Sequence, residues 1–550
     1  MKKFFLLGGF LLGLCIASAQ AQSVPRYLVY FKDKANTPFS VQKPEAFLTE
    51  RAITRRQRHN IPITSADFPV NPAYLQAIAQ TGAKVLFTTR WLNGVLLEAT
   101  DSQMTAIRNL AFFKSIERNL PLATTTTSGI ARLSAVDKKL ETQETVDYGR
   151  MRDQLAMLGV PELNDKGFRG QGMLIAVLDA GFSRANELVY LKHLFDNKRV
   201  LDTYDFISRN TNVYDNHNHG LNCLSIIAAN QPGVLVGAAP EASFLLYRTE
   251  NEYSETPYEE ATWILGAERA DSLGADIISC SLGYHLFDDS KYDYSPANLD
   301  GKTALITRGA QYAARTGMLV VNSAGNEGND AWRYITPPAD ADSILAVGAT
   351  FANRTYAPFS SVGPTADGRI KPDVAAQGAG AVIGNDIGAG GVSTGNGTSF
   401  SAPLITGLAA DLWQANPNLT AQQLLKVLRQ SGHQAANPDS LLGYGVPTAQ
   451  RAQEIILRDY PPLATEPTAL SAALLYPNPA QDVIYIRFDA QRVVPSTEVQ
   501  LLNSTGVALT QRVPVTDSVL GLSVATFPPG LYFVKIATPY TIRVMKFIKR

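Results

Sequence analysis

The sequence predicts an α/β protein with a mostly parallel sheet covered by helices on both faces, preceded by a small α+β module and followed by a small all-β, sandwich-like module. Between residues 148 and 458, apolar strand-like runs alternate with helical stretches, a pattern typical of parallel sheets. Strands and helices mix before residue 120, and short strands alone follow residue 471. A chain of 550 residues is too long for one core, so several domains are expected.

The first 21 residues predict a secretory signal peptide. They combine two lysines, an apolar run too short to span a bilayer, and small residues at Ala17, Ala19 and Ala21. Cys15 follows Leu14 instead of a small residue, so we expect no lipid anchor. Since no later run is long and apolar enough for a transmembrane helix, the mature protein is expected to leave the cytoplasm and remain soluble.

Charge and cysteine content argue against several classes of protein. The 49 basic residues balance the 49 acidic ones, so no nucleic acid or anionic membrane partner is expected. We interpret the basic cluster RAITRRQRHN, residues 51–60, as a solvated face. Only Cys223 and Cys280 follow the signal peptide, too few for a disulfide framework, so a hydrophobic core must hold the fold.

Residues 22–120 predict the small α+β module. A strand (RYLVYFKD), a helix (AYLQAIAQTG) and two strands joined at Asn93-Gly94 follow one another, and Asn-Gly between apolar runs is a strong hairpin signal. Asp101 then caps a helix with one apolar face, and a further strand (FFKSIERN) ends the module. The Thr/Ser-rich residues 121–147 indicate an exposed linker.

Residues 148–458 predict the main domain, with buried strands in MLIAVLDAGF, ASFLLYRT, ADIISCSLGY, GMLVVNSAGNEG and SILAVGAT. Helices are expected in LNCLSIIAAN and EEATWILGAERADSLG. Residues 459–470 form a proline-punctuated linker. In residues 471–550, short strands are separated by turn signals at Asn503 to Gly506 and Pro528 to Gly530, which indicates the β-sandwich-like module.

Ser399 is the candidate nucleophile. It stands in NGTSFSAP, between a glycine-rich stretch and an apolar run with helical spacing. A helix N-terminus offers free N–H groups and a positive dipole end, which favour an oxyanion forming beside the hydroxyl. The same position also suits an ordinary helix cap. A nucleophilic serine needs a base close to it.

His219 is the candidate base, because it directly precedes Gly220 and an apolar helical stripe in DNHNHGLNCLSIIAAN. Two alternatives stay open: a structural histidine, and a metal site built from Asp215, His217 and His219, for which this spacing is a weak signal. Asp179 ends a fully apolar strand and is the candidate carboxylate. A buried carboxylate usually has a polar partner, although a strand-end Asp can also serve only to cap a loop.

The chain order Asp179, His219, Ser399 narrows the type of hydrolase. It matches neither α/β-hydrolases nor chymotrypsin-like enzymes. The segments IAVLDAGF, NHGLNCLSIIAA and GNGTSFSAPLITGLAA resemble, in this order, the aspartate, histidine and serine blocks of the subtilisin-like serine peptidases, the subtilases. The resemblance covers roughly residues 148–458 and departs at Leu221, where the family usually has threonine, which leaves local packing open.

The resemblance implies further site residues. VVNSAGNEG is similar to the family's oxyanion block and points to Asn326, whose alternative role is to shape the neighbouring turn. SCSLGY resembles the strand that pairs with extended substrate. The implied pocket residues are Ser281, Leu282 and Gly283 on one wall, Ala324 and Gly325 on the facing wall, and Thr336 near the floor. No carboxylate marks the expected pocket, which favours an apolar or broad preference instead of strict selection for basic residues.

No cofactor is expected for the chemistry. The resemblance is compatible with structural calcium, but the acidic stretch HLFDDSKYDYSPANLDG matches no EF-hand loop and is interpreted as a solvated insertion, so no metal ligand is assigned. Cys223 lies one helical turn after His219, where some subtilases carry a free cysteine. We expect its thiol to point inward as a small apolar group, not to act as the nucleophile.

Both flanking modules carry resemblances of their own. Residues 24–119 resemble the inhibitory propeptides of subtilases, with an unrelated binding domain as the alternative. The segments YPNPAQDVIYIRF, GLYFVKI and KFIKR resemble the C-terminal sorting domain of proteins exported by the type IX system of Bacteroidetes. An ordinary carbohydrate-binding sandwich is the alternative for this module.

Together these resemblances imply a secreted, monomeric serine endopeptidase that hydrolyses peptide bonds through an Asp-His-Ser triad and an acyl-enzyme. Its expected partners are protein or peptide substrates and the type IX machinery, which would carry it across the outer membrane to the cell surface or the medium. Two alternatives stay open: a catalytically silent surface-binding protein with this fold, and a peptide acyl transferase or macrocyclase that uses the same triad.

Overall fold

The computed structural model describes residues 24–124, 147–461, 473–488, 497–538 and 542–550. The chain divides into two compact units, one ending at Tyr460 and the other beginning at Pro461. The predicted signal peptide and most of the two predicted linkers lie outside the described residues. None of the described helices is long and apolar enough to cross a membrane.

An antiparallel sheet with helices forms the N-terminal part of the first unit, which confirms the predicted α+β module. Its strands have the order β2-β3-β1-β4, with β5 also paired to β1. The elements, in chain order, are β1 (Pro25–Phe31), α1 (Glu50–Arg58), α2 (Pro72–Gln80), β2 (Lys84–Thr89), β3 (Gly94–Glu98), α3 (Asp101–Arg108), β4 (Phe113–Ile116) and β5 (Ala123–Thr124). The strand β5 lies where the linker was expected to begin.

A parallel sheet forms the centre of residues 147–461, as predicted. The strands of this region are β6 (Leu174–Asp179), β7 (Val200–Asp205), β8 (Asn230–Gln231), β9 (Leu235–Val236), β10 (Ser243–Arg248), β11 (Ile277–Cys280), β12 (Leu319–Ser323), β13 (Leu345–Thr350), β14 (Val374–Gln377), β15 (Ala381–Asn385) and β16 (Gly391–Gly395). Seven of them form the central sheet in the order β14-β13-β12-β11-β6-β10-β7, all parallel.

Helices cover both faces of this sheet. They are α4 (Arg152–Ala156), α5 (Val160–Asn164), α6 (Lys192–Asp196), α7 (His219–Ala228), α8 (Pro257–Leu273), α9 (Leu305–Arg315), α10 (Thr398–Ala415), α11 (Ala421–Gln430) and α12 (Ala449–Asp459). Side chains alternate along a strand, so β6 joins two cores. Ile175 and Val177 pack with α7 and α10, and Ala176 and Leu178 pack with α8 and α9.

The position of β6 determines where a site can form. The chain runs from β6 to the edge strand β7, returns to β10 beside β6, and then crosses to β11 on the opposite side of β6. In open parallel sheets, ligands bind outside the carboxyl ends of strands where the order reverses in this way. Asp179 is the last residue of β6 and stands at this point.

The N-terminal module docks on α8 through buried arginines, so the interpretation of residues 51–60 as a solvated face is wrong. Arg55 and Arg56 on α1 are each 2% exposed. Together with Arg90 they pair with the buried Asp271 on α8. Burial alone would raise the pKa of Asp271, but the three guanidinium groups hold it below its usual value. The arginines form an interface instead of a solvated face, because their carboxylate partner, Asp271, lies in a distant part of the chain.

Replacing Asp271 with Asn is expected to destabilise this interface strongly, because three buried guanidinium groups would lose their shared carboxylate. Removing one partner of a buried ion pair costs about 3–5 kcal/mol. Urea unfolding of the full chain, in a Ser399→Ala background that prevents self-cleavage, measures the effect. Asp196→Asn is the matched control, since Asp196 forms an exposed pair with Lys192 worth about 0.5 kcal/mol. Equal losses in the two variants would contradict the prediction.

The second unit consists of strands, which confirms the predicted all-β module. They are β17 (Leu474–Tyr476), β18 (Val483–Arg487), β19 (Glu498–Leu502), β20 (Val513–Pro514), β21 (Val519–Ser523), β22 (Gly530–Ala537) and β23 (Ile542–Lys549). Two antiparallel sheets, β17-β18-β21 and β20-β19-β22-β23, enclose one apolar core. Alternate residues of β22, namely Tyr532, Val534 and Ile536, point into that core.

Candidate active site

Asp179 and His219 form the centre of the candidate site. Asp179 has no exposed surface, and its Oδ1 accepts hydrogen bonds from Nδ1 of His219 at 2.7 Å and from the N–H of Ala180 at 2.7 Å. Its Oδ2 has no hydrogen-bond partner within the described part of the chain. The buried carboxylate therefore has the histidine as its side-chain partner, instead of acting only as a loop cap.

Helix α7 brings His219 to the end of β6 because the next residue is glycine. A Cβ added at Gly220 would lie 2.5 Å from the oxygen of Gly181 and 2.8 Å from Cβ of Asp179. Only a residue without a side chain allows the helix to approach this closely. Leu221, where the sequence departs from the usual family pattern, is fully buried in the core under α7. Its packing therefore leaves the imidazole in place.

The surroundings of His219 make it a stronger base than a free histidine. Burial favours the neutral ring, but the adjacent Asp179 carboxylate and its hydrogen bond favour the charged ring more, so the pKa of His219 lies above its ordinary value. Since Nδ1 faces the carboxylate, the other ring nitrogen, Nε2, is the atom left to exchange a proton with a ligand.

Ser399 lies in the first turn of α10 and lines the same cleft as His219. The cleft encloses about 290 Å³. The hydroxyl of Ser399 lies 3.4 Å from the carbonyl oxygen of Ser281, to which it donates. The N-cap of α10 is Gly397, which has no side chain with which to cap the helix. The alternative that Ser399 is an ordinary helix cap is therefore wrong.

Asn326 lines the cleft beside the start of α10, and its amide is held in one orientation. Its Oδ1 accepts hydrogen bonds from the N–H of Thr398 at 2.8 Å and from the Thr398 hydroxyl at 3.1 Å. The same hydroxyl also accepts from the N–H of Gly325 at 3.2 Å. With its carbonyl end held by α10, Asn326 keeps its NH₂ group for a ligand in the cleft that it lines.

The expected pocket walls lie beside these groups. Five of the six expected residues line the cleft, namely Ser281, Leu282, Gly283, Gly325 and Thr336. Ala324 has no exposed surface and is not among the lining residues. Thr336 packs directly under Gly283, where an added Cβ would lie 2.1 Å from its Oγ1. Glycine at 283 therefore allows this close packing of the wall against Thr336.

Four glutamates that the sequence analysis missed also line the cleft: Glu250, Glu252, Glu255 and Glu327. Three of them belong to RTENEYSETP, directly after the buried strand β10. The carboxyl ends of parallel strands meet at one edge of a sheet. An acidic residue that follows any of these strands can therefore reach the same cleft as Asp179. These three residues lie outside every quoted motif, whereas Glu327 lies within VVNSAGNEG.

The geometry does not favour the metal site considered for Asp215, His217 and His219. Asp215 is exposed and accepts a hydrogen bond from Asn212 at 2.5 Å, while Nδ1 of His217 accepts from the N–H of His219 at 3.2 Å. In the described residues, the group whose ligand atoms lie within 4.8 Å of one another is instead Asp179, His219 and Cys223.

Cys223 is better described as a packing residue than as a metal ligand. Its thiol donates to the carbonyl of Ser399 at 3.3 Å, and burial raises the pKa of the thiol. A thiol must lose its proton to bind a metal or act as a nucleophile. The Asp179 oxygen and the His219 nitrogen that would join it already bond each other. The prediction that Cys223 points inward is confirmed.

Two aspartates of the acidic insertion accept hydrogen bonds from backbone N–H groups of their own loops. Asp293 accepts from the N–H of Phe287, and Asp300 accepts from the N–H groups of Lys302 and Thr303, each at 2.8 Å. Calcium sites gather six to eight oxygens around one point. These carboxylates hold their own loops instead.

Comparisons with known proteins match three parts of the chain. The family model described as the Subtilase family matches residues 170–445. The Peptidase S8 propeptide domain of Bacteroidota matches residues 26–132. The secretion system C-terminal sorting domain matches residues 474–550.

Several curated proteins are similar to the central part. Serine protease AprX of Bacillus subtilis (strain 168) is 27% identical over 52% of this chain and 68% of its own length. Subtilisin NAT of Bacillus subtilis subsp. natto is 30% identical over 52% of this chain and 65% of its own length. Subtilisin DY of Bacillus licheniformis is 27% identical over 51% of this chain and 89% of its own length.

Proposed function

The chain belongs to the subtilase family and is a serine endopeptidase, and we propose that Ser399, His219 and Asp179 form its triad and Asn326 its oxyanion donor. The single observation that carries this proposal is the 2.7 Å hydrogen bond between the buried Asp179 and His219, made at the wall of a cleft that Ser399 and Asn326 also line. Acyl transfer to serine requires a carboxylate that orients an imidazole and a serine hydroxyl within reach of that imidazole.

Each triad residue has one task in the proposed reaction. Nε2 of His219 takes the hydroxyl proton of Ser399 as Oγ attacks the scissile carbonyl carbon, and the same nitrogen then gives this proton to the leaving amine. Water enters, loses a proton to Nε2 and attacks the acyl-serine ester. As the bond from the carbonyl carbon to Oγ breaks, Nε2 returns this proton to Oγ, which restores the hydroxyl and the neutral imidazole. Asp179 holds Nδ1 protonated and stabilises the imidazolium. The Ser399 hydroxyl must rotate from the Ser281 carbonyl towards His219 for the first step.

Two donors are proposed for the oxyanion. The backbone N–H of Ser399 is one, because N–H groups in the first turn of a helix have no partner inside the helix and the dipole favours negative charge there. The NH₂ group of Asn326 is the other, since Thr398 holds the carbonyl end of the same amide. Donors fixed before the reaction stabilise the developing charge without reorganisation.

Replacing Asn326 with Ala is expected to lower kcat about 10²–10³-fold with little change in KM, because the donor acts only on the oxyanion. Steady-state kinetics on a peptide substrate measures this. Asn437→Ala is the matched control, since Asn437 is exposed and lies outside the cleft lining. A rise in KM at constant kcat would instead assign Asn326 to ground-state binding.

Labelling with a fluorophosphonate tests the proposal. The reagent forms a covalent bond only with an activated serine, so peptide mapping of the purified enzyme should find the label on Ser399. Digestion of a mixed peptide library should give products with free termini, as expected of hydrolysis. Failure to label any serine would overturn the proposal, and cyclised or amine-extended products would indicate acyl transfer.

The flanking modules complete the proposed maturation route. The sorting domain directs the chain to type IX secretion, and hence to the cell surface or the medium. We propose a signal peptide at 1–21, a propeptide at 22–120, a linker at 121–147, the peptidase at 148–458, a second linker at 459–470 and the sorting domain at 471–550. A monomer acting on protein substrates, with no cofactor in the chemistry and no nucleic acid partner, completes the proposal.

A further inference from the structure

One side of the cleft is acidic. The loop after β10 carries Glu250, Glu252 and Glu255 into the cleft lining. The cation nearest in sequence, Arg248, is buried and already bonds the carboxylate of Asp205 at 3.0 Å, that of Glu252 at 3.0 Å and the carbonyl oxygen of Ala180 at 3.0 Å. It therefore compensates Glu252, but leaves Glu250 and Glu255 to be neutralised by something else.

Glu255 is the carboxylate with the greatest need of a cation. In the described ranges of the chain, no hydrogen bond or ion pair reaches its carboxylate. The groups that act on it are all acidic, namely Glu250, Asp288 and Glu260, and burial together with these neighbours raises the pKa of Glu255 to about 8. The start of α8 does not use it, because Glu259 accepts the N–H of Thr256 at 2.6 Å.

Glu250 places a second carboxyl group beside SCSLGY, the segment expected to pair with extended substrate. It accepts a hydrogen bond from the hydroxyl of Tyr284, the residue that follows Gly283 of the pocket wall. Burial raises the pKa of Glu250 to about 7, and the Asp179 charge adds to this rise, although the Tyr284 hydrogen bond and the charges of His219 and Arg248 act in the opposite direction. A substrate peptide that lies along this wall therefore passes the carboxyl groups of Glu250 and Glu255.

We propose that the cleft selects substrates with a Lys or Arg side chain among the residues just before the scissile bond, held by Glu255 and Glu250. This inference rests on the proposed function, since it concerns the same cleft. An ammonium or guanidinium group there would turn repulsion between two carboxyl groups into attraction. An apolar side chain would instead cover both carboxyl groups without pairing them, which is costly.

Internally quenched peptides test the selection. They share one sequence and carry Lys, Arg, Gln or Glu at one of the four positions before the bond that is cut. Assays at pH 9 keep both carboxyl groups ionised. We expect kcat/KM for the Lys or Arg peptide to exceed that for the Gln peptide at least tenfold at one position, as for a hydrogen bond to a charged group, and the Glu peptide to be slowest. Equal rates at all four positions would overturn the proposal.

The variant Glu255→Gln locates the effect. The Lys to Gln ratio of kcat/KM should fall severalfold, to what Glu250 alone supports. The control Asp289→Asn, which removes an exposed carboxylate outside the cleft lining, should keep the wild-type ratio. Peptides with acetyl-lysine give a measurement on the wild-type enzyme alone and should be cut as slowly as the Gln peptide. An unchanged ratio in Glu255→Gln, or rapid cleavage beside acetyl-lysine, would overturn the assignment.

Failure of this inference is distinguishable from failure of the proposed function. Each preparation is first titrated with the fluorophosphonate. An enzyme that is labelled and cuts every peptide at the same rate has the proposed chemistry without the proposed selection. An enzyme that is neither labelled nor able to cut any peptide contradicts both.

Discussion

Ser399→Ala is expected to lower kcat about a millionfold, the magnitude known for the subtilisin triad. Without Oγ no acyl-enzyme can form, and the remaining rate comes from binding and oxyanion donors acting on water. KM should change little, because the cleft walls and the proposed oxyanion donors are untouched. Hydrolysis of a quenched peptide measures the loss, and the unprocessed precursor should accumulate if the propeptide is removed by the enzyme itself.

The matched control is Ser401→Ala, in the same helix. The hydroxyl of Ser401 donates to the carbonyl oxygen of Ala376 at 3.1 Å and does not line the cleft. Losing that bond costs about 1 kcal/mol of stability and should leave kcat close to the wild-type value. If Ser399→Ala kept more than a thousandth of the wild-type turnover, another residue would have to be the nucleophile.

The sequence allowed the fold and most of the cleft to be predicted because their signals are local. The apolar run that ends in Asp179 predicts one buried strand and its end. The histidine before Gly220 and the apolar stripe after it predict the start of one helix. Chain order then selected one family of hydrolases. The resemblance to subtilases predicted Ser281 to Gly283 as one wall of the pocket, and these residues line the cleft. Ala324, which was predicted for the facing wall, does not line it.

Features that depend on distant partners could not be predicted. Arg55 belongs to a strongly basic stretch, and only tertiary structure brings it against Asp271 on α8. The local sequence around Ser399 favours a helix cap over a nucleophile, and only the structure excludes the cap, because Gly397 takes that position. Three of the four glutamates in the cleft lining come from a loop after β10 that carries no family motif.

Asp179→Asn is expected to lower kcat about ten-thousandfold near neutral pH while keeping the geometry. The carboxylate accepts the Nδ1 proton of His219, whereas an amide can present its NH₂ group to the same nitrogen. The imidazole would then carry its proton on Nε2, the atom that must accept one from Ser399. The imidazolium formed during the reaction would also lose its stabilising charge.

The pH profile separates this electrostatic role from a structural one. His219 acts as a base only when neutral, so wild-type kcat/KM should rise with pH through the raised pKa of His219. In Asp179→Asn, burial would act without the opposing carboxylate and lower that pKa. The acid limb should therefore move to lower pH while the plateau falls.

Asp215→Asn provides the control, because Asp215 is an exposed carboxylate in the loop before His219. Its profile should match that of the wild type, and it would lose activity only if the loop held a required metal. A lower plateau in Asp179→Asn with an unmoved acid limb would mean that Asp179 only positions the ring. A displaced limb would instead show that its charge sets the basicity of His219, and thus the pH range in which Ser399 is activated.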